Sequence, residues 1–398
     1  MSKLDELLQG VDVEWLALGK IANFLNGKGH EKAISDDGKY IVVNSKFVSS
    51  EGKIIKYSDV QIVPLYIDDI LIVMSDLPNG KALAKTFLVE ENDKYTLNQR
   101  IGRISVINKN ALLPKYLNYI LNRNSDLLKF NNGVDQTNLK KNQILEVSIP
   151  IPCPDNPEKS LEIQQEIVRV LDELTSLTNQ LTTELETERQ NRKKQFEFFR
   201  EQLLSFEKGE AEWKSLGEIL NRTKGTKITA SQMKELDKEN GSIKIFAGGK
   251  TVAFFDANDL PEKDINLKPS IIVKSRGIIE FEYYDKPFSH KNEMWSYHST
   301  NDQIEIKYIY YFLKINELHF QNIGKRMQMP QISIPHTDKF KIPLISMEDQ
   351  KRIVKLLDQF DATHTAIEEE ITKEIKLRTQ QYEYYREKLL SFPSLRTT

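Results

Sequence analysis

Basic and amide side chains beside glycine turns are the residues of this sequence best suited to bind a ligand. In the second half of the chain they occur in VKSRGIIEF at 273–281, KNEMW at 291–295 and GKRMQ at 324–328. Lys and Arg contact phosphates, and Arg, Asn and Gln also hydrogen-bond the edges of bases. These residue types therefore predict contacts with a nucleic acid. The candidates are Lys274, Arg276, Lys291, Asn292, Lys325, Arg326 and Gln328.

The first half of the chain carries a corresponding set of polar residues in loops of different sequence. One of these loops is GVDQTNLKKNQ at 133–143, which closes the first half as GKRMQMPQIS at 324–333 closes the second. For any single residue the alternative is a solvated surface charge, so the hypothesis depends on the set as a whole. The candidates are Lys46, Lys81, Lys85, Asn98, Gln99, Arg100, Gln136, Asn138, Lys140 and Lys141.

Known catalytic and metal-binding patterns are missing from the sequence. The stretch AGGKT at 247–251 resembles a phosphate-binding loop, but Lys244 stands where that motif requires glycine. Neither a dinucleotide-binding glycine motif nor H-E-x-x-H is present, and the six histidines are scattered. The Asn/Asp-Pro-Pro-Tyr/Phe pocket of amino-methyltransferases is also missing. We therefore predict a non-enzyme with no catalytic residues, no metal and no cofactor of its own.

Charge is distributed unevenly along the 398 residues, whose net charge is −2. Residues 1–150 and 212–343 are slightly basic, whereas residues 151–211 and 344–398 contain the acidic excess. No apolar run approaches the ~18–20 residues that a membrane span needs. The single cysteine, Cys153, excludes an internal disulfide and fits a reducing compartment. We expect a cytoplasmic protein that does not contact a membrane.

An internal repeat organises the whole chain. QFEFFREQLLSF at 195–206 returns as QYEYYREKLLSF at 381–392, and EIQQEIVRVLDEL at 162–174 returns as EDQKRIVKLLDQF at 348–360. The stretch GEAEWKSLGEI, which follows the first helix at 209–219, has its counterpart GVDVEWLALGKI near the N-terminus. The chain therefore consists of two copies of one unit. Each copy has a short E-W segment, called the joint, then a block whose sequence differs between the copies, called the variable block, and then a repeated helix.

The repeated segments predict two long helices. Apolar residues recur at alternating spacings of four and three, and neither segment contains Gly or Pro over some 45 residues, which is typical of a coiled coil. Two such copies closed into a two-fold ring require the two helices to pack antiparallel. The aromatic residues near the helix ends have two interpretations, packing against the variable blocks or a surface for a partner. They are Phe196, Phe198, Phe199, Tyr382, Tyr384 and Tyr385.

The two variable blocks share a layout rather than a sequence. Each has a strand after an Asp-Gly or Asn-Gly turn, a hydrophobic strand (DDILIVMS at 68–75, SIIVKSRG at 270–277) and an aromatic helix (KYLNYILN at 115–122, KYIYYFLK at 307–314). The predicted fold class is α+β, with two similar mixed α/β domains joined by two long antiparallel coiled-coil helices in a cyclic pseudo-two-fold arrangement. The predicted segments are 1–150, 151–211, 212–343 and 344–398.

The chain resembles the specificity subunit of a Type I restriction–modification system, of the type IC-like group with cyclically repeated halves. The resemblance is carried by E-W-x-x-L-G-x-I at 14–21, with its counterpart EWKSLGEI, by IPIPCPDNPEKSLEIQQEIVRVLD at 149–172 and by RKKQFEFFREQLLSF at 192–206. It covers the chain from end to end. In the variable blocks, which would be the target-recognition domains, only the layout matches.

The resemblance implies a non-catalytic subunit of a prokaryotic complex. Two target-recognition domains would read the two halves of an asymmetric double-stranded DNA site, separated by a spacer that the helices set. Two modification subunits with S-adenosylmethionine would dock on the helices and joints, joined by restriction subunits that use ATP and Mg. The alternative function is a coiled-coil scaffold that binds proteins only.

Overall fold

The computed structural model describes residues 10–77, 80–207, 209–249, 251–325 and 329–392. By its internal contacts the chain divides into two units. The first unit combines Met1–Thr183 with Ile375–Thr398, and the second unit is Glu184–Glu374. This division differs from the four segments predicted from the sequence, because it assigns parts of both long helices to each unit.

The first unit is built on an antiparallel sheet with a fully buried central strand. Its strands are β1 (Val13–Ala17), β2 (Ala22–Asn26), β3 (Ile34–Ser35), β4 (Tyr40–Val43), β5 (Tyr57–Ser58), β6 (Ile70–Val73), β7 (Ser75–Asp76), β8 (Thr86–Leu88), β9 (Tyr95–Leu97), β10 (Ile101–Val106), β11 (Thr137–Asn138) and β12 (Ser148–Pro152). The main sheet has the order β2-β10-β6-β8, and every residue of β6 is buried. A second sheet, β3-β5-β4-β9, contains a parallel pair between β4 and β9.

The second unit repeats this plan. Its strands are β13 (Glu212–Ser215), β14 (Asn221–Thr223), β15 (Ile243–Phe246), β16 (Val252–Phe255), β17 (Ser270–Lys274), β18 (Glu280–Tyr284), β19 (Phe288–His290), β20 (Trp295–His298) and β21 (Lys341–Leu344). The main sheet has the order β14-β20-β17-β18, and β17 is buried throughout, as β6 is. The second sheet, β16-β15-β19, again contains a parallel pair, β15 with β19.

Two long helices connect the units. They are α6 (Pro157–Leu203) and α12 (Met347–Leu390). The shorter helices of the first unit are α1 (Leu18–Ile21), α2 (Ser45–Ser49), α3 (Pro114–Leu121), α4 (Ser125–Leu128) and α5 (Lys141–Leu145). Those of the second unit are α7 (Leu216–Ile219), α8 (Ala230–Glu235), α9 (Ile306–Ile315), α10 (Glu317–Gly324) and α11 (Ile334–Asp338), with 3-10 helices at Ala257–Asp259 and Glu262–Asp264. Helices α6 and α12 each begin in one unit and end in the other. The predicted pair of long uninterrupted helices is confirmed.

The repeated E-W stretches form the same joint in both units. Strand β1 pairs antiparallel with β12, and β13 pairs with β21, so that each tryptophan lies opposite a proline: Trp15 opposite Pro150, and Trp213 opposite Pro343. A buried tyrosine of the following aromatic helix ties each joint to its block. The Tyr116 hydroxyl donates to the Pro150 carbonyl over 3.0 Å, and the Tyr308 hydroxyl donates to the Pro343 carbonyl over 2.8 Å.

Each core contains residues from both long helices. In the first unit, Ile167 and Leu171 from the start of α6 are fully buried in the same cluster as Phe392, which follows α12. In the second unit, Leu204, which follows α6, joins Leu357 from the start of α12. Burial of these side chains against the aromatic helices is the largest favourable term available to hold the long helices in place. Each copy of the repeat therefore needs residues from the long helix of the other copy to complete its core.

The long helices run antiparallel within each unit. In the first unit the hydroxyls of Thr175 on α6 and Tyr382 on α12 are hydrogen-bonded over 3.2 Å. In the second unit Phe199 near the end of α6 stacks on Phe360 near the start of α12, with ring centroids 6.0 Å apart. These contacts confirm the predicted antiparallel pairing and the predicted fold class of two similar α/β domains joined by long helices. Among the described residues, no helix combines the length and the apolar character needed to span a membrane.

Replacement of Phe392 by Ala tests how far the first unit depends on the end of α12. Phe392 is buried among Leu389, Leu390 and the residues of α3 and α6, so we expect a loss of about 3–5 kcal/mol of stability. Hydrogen exchange followed by mass spectrometry should show faster exchange in Pro114–Leu121. Phe206 is the repeat counterpart of Phe392 and packs against the core of the second unit, so Phe206→Ala should accelerate exchange in Ile306–Ile315 instead. Unchanged protection of both helices would contradict the proposed dependence.

Candidate nucleic-acid interface

Three loops of the first unit meet at one end of its main sheet. The Met74 amide after β6 donates to the Arg100 carbonyl over 2.9 Å, and the Leu139 amide donates to the Met74 carbonyl over 2.7 Å. A parallel bridge joins Lys28, just after β2, to Asn98. The turn before β10 and the closing loop, which the sequence singles out separately, are therefore neighbours. We call this sheet end the reading edge of the first unit, and it consists of residues 26–32, 74–77, 80–85, 98–100 and 131–140.

Most of the first-unit candidates are exposed. The exposed ones are Lys46, Lys81, Gln99, Arg100, Gln136, Asn138, Lys140 and Lys141, whereas Lys85 and Asn98 are half-buried. The Lys85 amine already has hydrogen-bond partners, since its Nζ donates over 3.1 Å to both the Ser49 carbonyl and a Glu51 carboxylate oxygen. Gln99 donates to Glu31 over 2.6 Å, which leaves its carbonyl oxygen as the acceptor for a ligand. Arg100 adopts a left-handed backbone conformation with φ of 71°.

The closing loop of the first unit is tied to the end of β6. Strand β11 pairs with β7, and the Gln136 side chain donates to the Ser75 hydroxyl over 2.7 Å. Lys140 and Lys141 lie at the start of α5, where the Lys140 amide donates to the Gln143 side chain over 2.7 Å. The strand that follows the Asp-Gly turn ends at Val43, so Lys46 lies on α2 rather than on a strand. Hydrogen bonding of Asn44 to the Phe47 amide starts that helix.

The second unit builds the same edge from other residues. A parallel bridge joins Thr226, after β14, to Lys291, in the position of the bridge between Lys28 and Asn98. The closing loop again returns to the central strand, because the Gly277 amide donates to the Pro330 carbonyl over 2.9 Å. This second reading edge consists of residues 224–228, 275–279, 291–293 and 329–332.

The candidates of the second unit differ in how far they are available to a ligand. Arg276 and Asn292 are exposed on adjacent loops of the second reading edge. Lys291 is half-buried and pairs with Glu293 over 3.0 Å. Lys325 is exposed and donates to the Asn322 side chain over 3.3 Å. Arg326 and Gln328 lie outside the described residues.

Lys274 occupies a structural position within the sheet. Its side chain is buried, and its Nζ lies 2.6 Å from Glu280 and 2.8 Å from Glu282, both on the neighbouring strand β18. Burial lowers the pKa of Lys274, but the hydrogen bonds to the two carboxylates outweigh it and raise the pKa above its ordinary value. A contact with DNA would require this buried cluster to open. We therefore leave Lys274 out of the proposed interface.

A cleft beside the second reading edge contains residues that sequence reasoning missed. It has a volume of about 1110 Å³ and lies next to Asn292. Its lining includes Lys224, Lys227 and Lys263, and within the described part of the chain no carboxylate pairs with these three amines. Lys224 and Lys227 lie on either side of Gly225 in the segment directly after β14, so the run RTKGTK was a signal that could have identified them. Such unpaired amines are suited to phosphates.

The aromatic residues of the two long helices divide into inward and outward positions. Phe196 packs edge-on against His364, with ring centroids 5.1 Å apart, and Tyr382 hydrogen-bonds Thr175. The next two aromatic residues of each helix are exposed. Phe198 and Phe199 are in edge-to-face contact at 5.7 Å, and Tyr384 and Tyr385 are in the same contact at 5.4 Å. Phe196 and Tyr382 therefore pack against the other long helix rather than against a variable block, and Phe199 also stacks on Phe360. The partner surface stays a prediction for the exposed rings.

The arrangement can bind and orient polyanions and base edges. Its reading edges expose guanidinium, ammonium and amide groups on loops fixed by backbone hydrogen bonds, which is how DNA-reading proteins present side chains to a groove. In the described ranges, no group of three or more His, Cys, Asp and Glu side chains could hold a metal ion. The two similar α/β units with long connecting helices define a protein with two separate DNA-recognition modules.

Comparison with known proteins gives the family. The chain belongs to the Type I restriction modification DNA specificity domain family, whose model matches residues 10–188 and again residues 209–377. The two matches correspond to the two copies of the internal repeat. The chain is accordingly a non-catalytic DNA-recognition subunit, and a scaffold that binds proteins only is not favoured.

The relatives extend over the full length of the chain. The EcoR124I/EcoR124II specificity subunit of Escherichia coli is 32% identical over 428 residues, covering 100% of this chain and 98% of the relative. The EcoprrI specificity subunit of Escherichia coli is 28% identical, covering 93% of this chain and 92% of the relative. Coverage of more than nine-tenths of both chains agrees with the resemblance seen in the repeated joints and helices.

Solved structures share the fold at low sequence identity. A chain from a study of complex assembly and conformational transition of the type I R-M system has a TM-score of 0.69 and 16% identity, covering 95% of this chain and 97% of that chain. The HsdS subunit from Thermoanaerobacter tengcongensis has a TM-score of 0.53 and 15% identity, with coverages of 95% and 96%. These likenesses establish the architecture.

Lys274 and Arg276 are two residues apart, the first at the end of β17 and the second on the exposed loop that follows it, so they form a matched pair for separating stability from recognition. Lys274→Met leaves Glu280 and Glu282 without their cation, so we expect a loss of about 2 kcal/mol from the unfolding free energy and an unchanged DNA target. Arg276→Gln should change stability by less than about 0.5 kcal/mol, because the side chain is exposed, yet weaken DNA binding.

Urea unfolding and DNA titration of both variants provide the measurement. If the Lys274→Met protein has wild-type stability but weakened DNA binding, the structural role of Lys274 is contradicted and Lys274 contacts DNA.

Proposed function

We propose that the chain reads an asymmetric, two-part DNA site, with one half-site for each unit. It does so as the specificity subunit of a Type I restriction–modification complex. The reading edge of each unit would enter the major groove of its half-site. The two long helices would keep the half-sites at a fixed spacing. The pseudo-cyclic repeat also fits the type IC-like group.

The observation that carries this proposal is the equivalence of the two reading edges. The same backbone bridge, Lys28 with Asn98 and Thr226 with Lys291, is built from different side chains. A common framework fixes the position of each loop relative to a groove, and different side chains on it select different base edges. Two unlike edges on one chain therefore favour a site whose halves differ.

The catalytic work would belong to partner subunits. Two modification subunits would carry S-adenosylmethionine, and restriction subunits would use ATP and Mg, in the cytoplasm of a prokaryote. The exposed aromatic pairs, Phe198 with Phe199 and Tyr384 with Tyr385, support two docking sites of one kind. Their equivalent positions on α6 and α12 fit two copies of the same partner, because equivalent surfaces bind equivalent partners.

Domain exchange tests the separate reading of half-sites. Residues 22–146 would be replaced by the corresponding block of another specificity subunit, and the variant expressed with its modification subunit. We expect sequencing that detects methylated bases to show a two-part motif in which one half-site is new, while the other half-site and the spacer are retained. The exchange leaves the joint and the long helices unchanged, and the new block must supply its own small and aliphatic side chains in place of Ala22 and Ile144, which belong to the same core cluster.

The reciprocal exchange of the second block serves as the control, and it should change the other half-site. A change in both half-sites from a single exchange would contradict independent reading. No methylation by an assembled wild-type complex would contradict the proposed function itself.

Removal of one aromatic pair tests the docking sites. Phe198→Ala with Phe199→Ala should reduce the complex from two modification subunits to one, and Tyr384→Ala with Tyr385→Ala should do the same. The physical reason is the loss of exposed aromatic area of the kind that dominates protein interfaces. Native mass spectrometry of the purified complex gives the stoichiometry directly. Lys194→Ala, an exposed change one helical turn from Phe198, is the control and should retain both copies.

Full stoichiometry in both double variants would place the docking surface elsewhere. Combination of the two double variants should leave the specificity subunit without partners. Its fold should stay intact, because none of the four rings lies in a core cluster and the stacking of Phe199 on Phe360 is a peripheral contact between half-exposed rings.

A further inference from the structure

Each unit exposes two aliphatic side chains at its reading edge. In the first unit they are Leu77, 67% exposed, and Val134, 74% exposed. In the second unit they are Ile278, 56% exposed, and Met329, 63% exposed. All four are among the most exposed large apolar side chains in the part of the chain that the structure describes. Apolar side chains of this size on tightly held turns gain free energy when a ligand covers them.

In the first unit the two side chains are held on paired loops. Leu77 follows β7, and its amide donates to the Asp76 carboxylate over 2.9 Å. Val134 lies on the closing loop, where its amide donates to the Asn132 side chain over 3.0 Å. Asp76 is paired with Thr137 of the same closing loop. The two aliphatic tips therefore lie on loops whose backbones are fixed to each other.

In the second unit the same two loops provide the tips. Ile278 follows Gly277, whose amide donates to the Pro330 carbonyl over 2.9 Å, and Met329 directly precedes Pro330. A bridge between Arg276 and Gln331 continues this pairing. Each unit thus places one aliphatic residue after its central strand and one on its closing loop, at the same location in the fold.

The repetition is not a consequence of sequence similarity between the loops. SDLPNG at 75–80 and SRGIIE at 275–280 share only their serine, and the closing loops differ in length and composition. What the two edges have in common is an aliphatic pair flanked by polar residues, such as Gln136 in one unit and Arg276 in the other. A ligand that matches both must offer an apolar group surrounded by hydrogen-bonding groups and phosphates.

The major groove of DNA offers such a group in the C5-methyl of thymine, which lies beside the acceptors and donors of the base edges. We infer that each aliphatic pair contacts a thymine methyl group in the half-site read by its unit. This rests on the proposed function and deepens it, because it assigns Leu77, Val134, Ile278 and Met329 as specificity-determining residues. The polar neighbours would read the flanking base edges.

Replacement of thymine by uracil removes the methyl group alone and therefore provides the test. Once the methylated motif is known, duplexes with single thymine-to-uracil changes through both half-sites would be titrated with the assembled specificity–modification complex. Each half-site should contain one position where uracil weakens binding about fourfold, which is what burial of one methyl group supplies.

Alanine variants assign each effect to a unit. Leu77→Ala with Val134→Ala should abolish the uracil effect in one half-site and retain it in the other. Ile278→Ala with Met329→Ala should give the reverse, as in a double-mutant cycle. Leu318→Ala is the matched control, because Leu318 is 61% exposed on α10 rather than on the reading edge, and both uracil effects should persist.

The outcomes separate this inference from the proposed function. If the wild-type complex binds its motif but no uracil change weakens binding by more than about 1.5-fold, the inference is wrong and the proposed function stands. Uracil effects that survive both double variants would also overturn it. An insertion of the side chains between bases in the minor groove would bend the duplex without a uracil effect, and would count against it. Failure of the wild-type complex to bind any two-part motif would instead overturn the proposed function.

Discussion

The structure depends on the residues that both long helices contribute to the core of each unit. In the first unit the start of α6 supplies Ile163, Ile167 and Leu171, and the end of α12 supplies Leu390 and Phe392. In the second unit the roles of the helices are exchanged. Neither variable block can bury its aromatic helix fully without both contributions. The joints and helices are therefore constrained in sequence, while the loops at the opposite end of each sheet are free to vary.

Because the joints and helices form the core while the loops carry the exposed side chains, one framework supports two different reading edges. Backbone hydrogen bonds between loops fix where side chains are presented, and they tolerate a wide range of residues because they involve main-chain atoms only. Met74 and Lys274 illustrate the limit of that freedom. Both lie at the end of the buried central strand, and a lysine is accepted there only because Glu280 and Glu282 on the next strand neutralise it.

The repeated parts of the fold could be predicted from the sequence because they are local patterns. The heptads, the E-W joints and the aromatic helices 115–122 and 307–314 depend on spacing along one segment. The predicted strands around 68–75 and 270–277 were also correct. The second sheet of each unit was not foreseen, since the parallel pairs β4 with β9 and β15 with β19 join segments about fifty residues apart.

The site was predictable in outline but not residue by residue. Loops with clustered Lys, Arg, Asn and Gln do meet at the reading edges, because the strands they follow are neighbours in one sheet. The burial of Lys274 could not be predicted from the sequence, because it depends on the register between β17 and β18, which places Lys274 beside Glu280 and Glu282. The cleft with Lys224, Lys227 and Lys263 was missed because its walls come from separate segments.

The electrostatics of the chain bear on the order in which its complex would form. The net charge is −2, and several amines near the reading edges are already neutralised, including Lys85 by Glu51 and Lys291 by Glu293. DNA affinity at physiological salt scales with the number of phosphates that free cations neutralise. A chain of slightly negative net charge gains little long-range attraction to the phosphate backbone and must depend on contacts at the reading edges, which are short-ranged. Such a subunit is suited to select a sequence after partner subunits have supplied the attraction to DNA, so that specificity and affinity come from different chains.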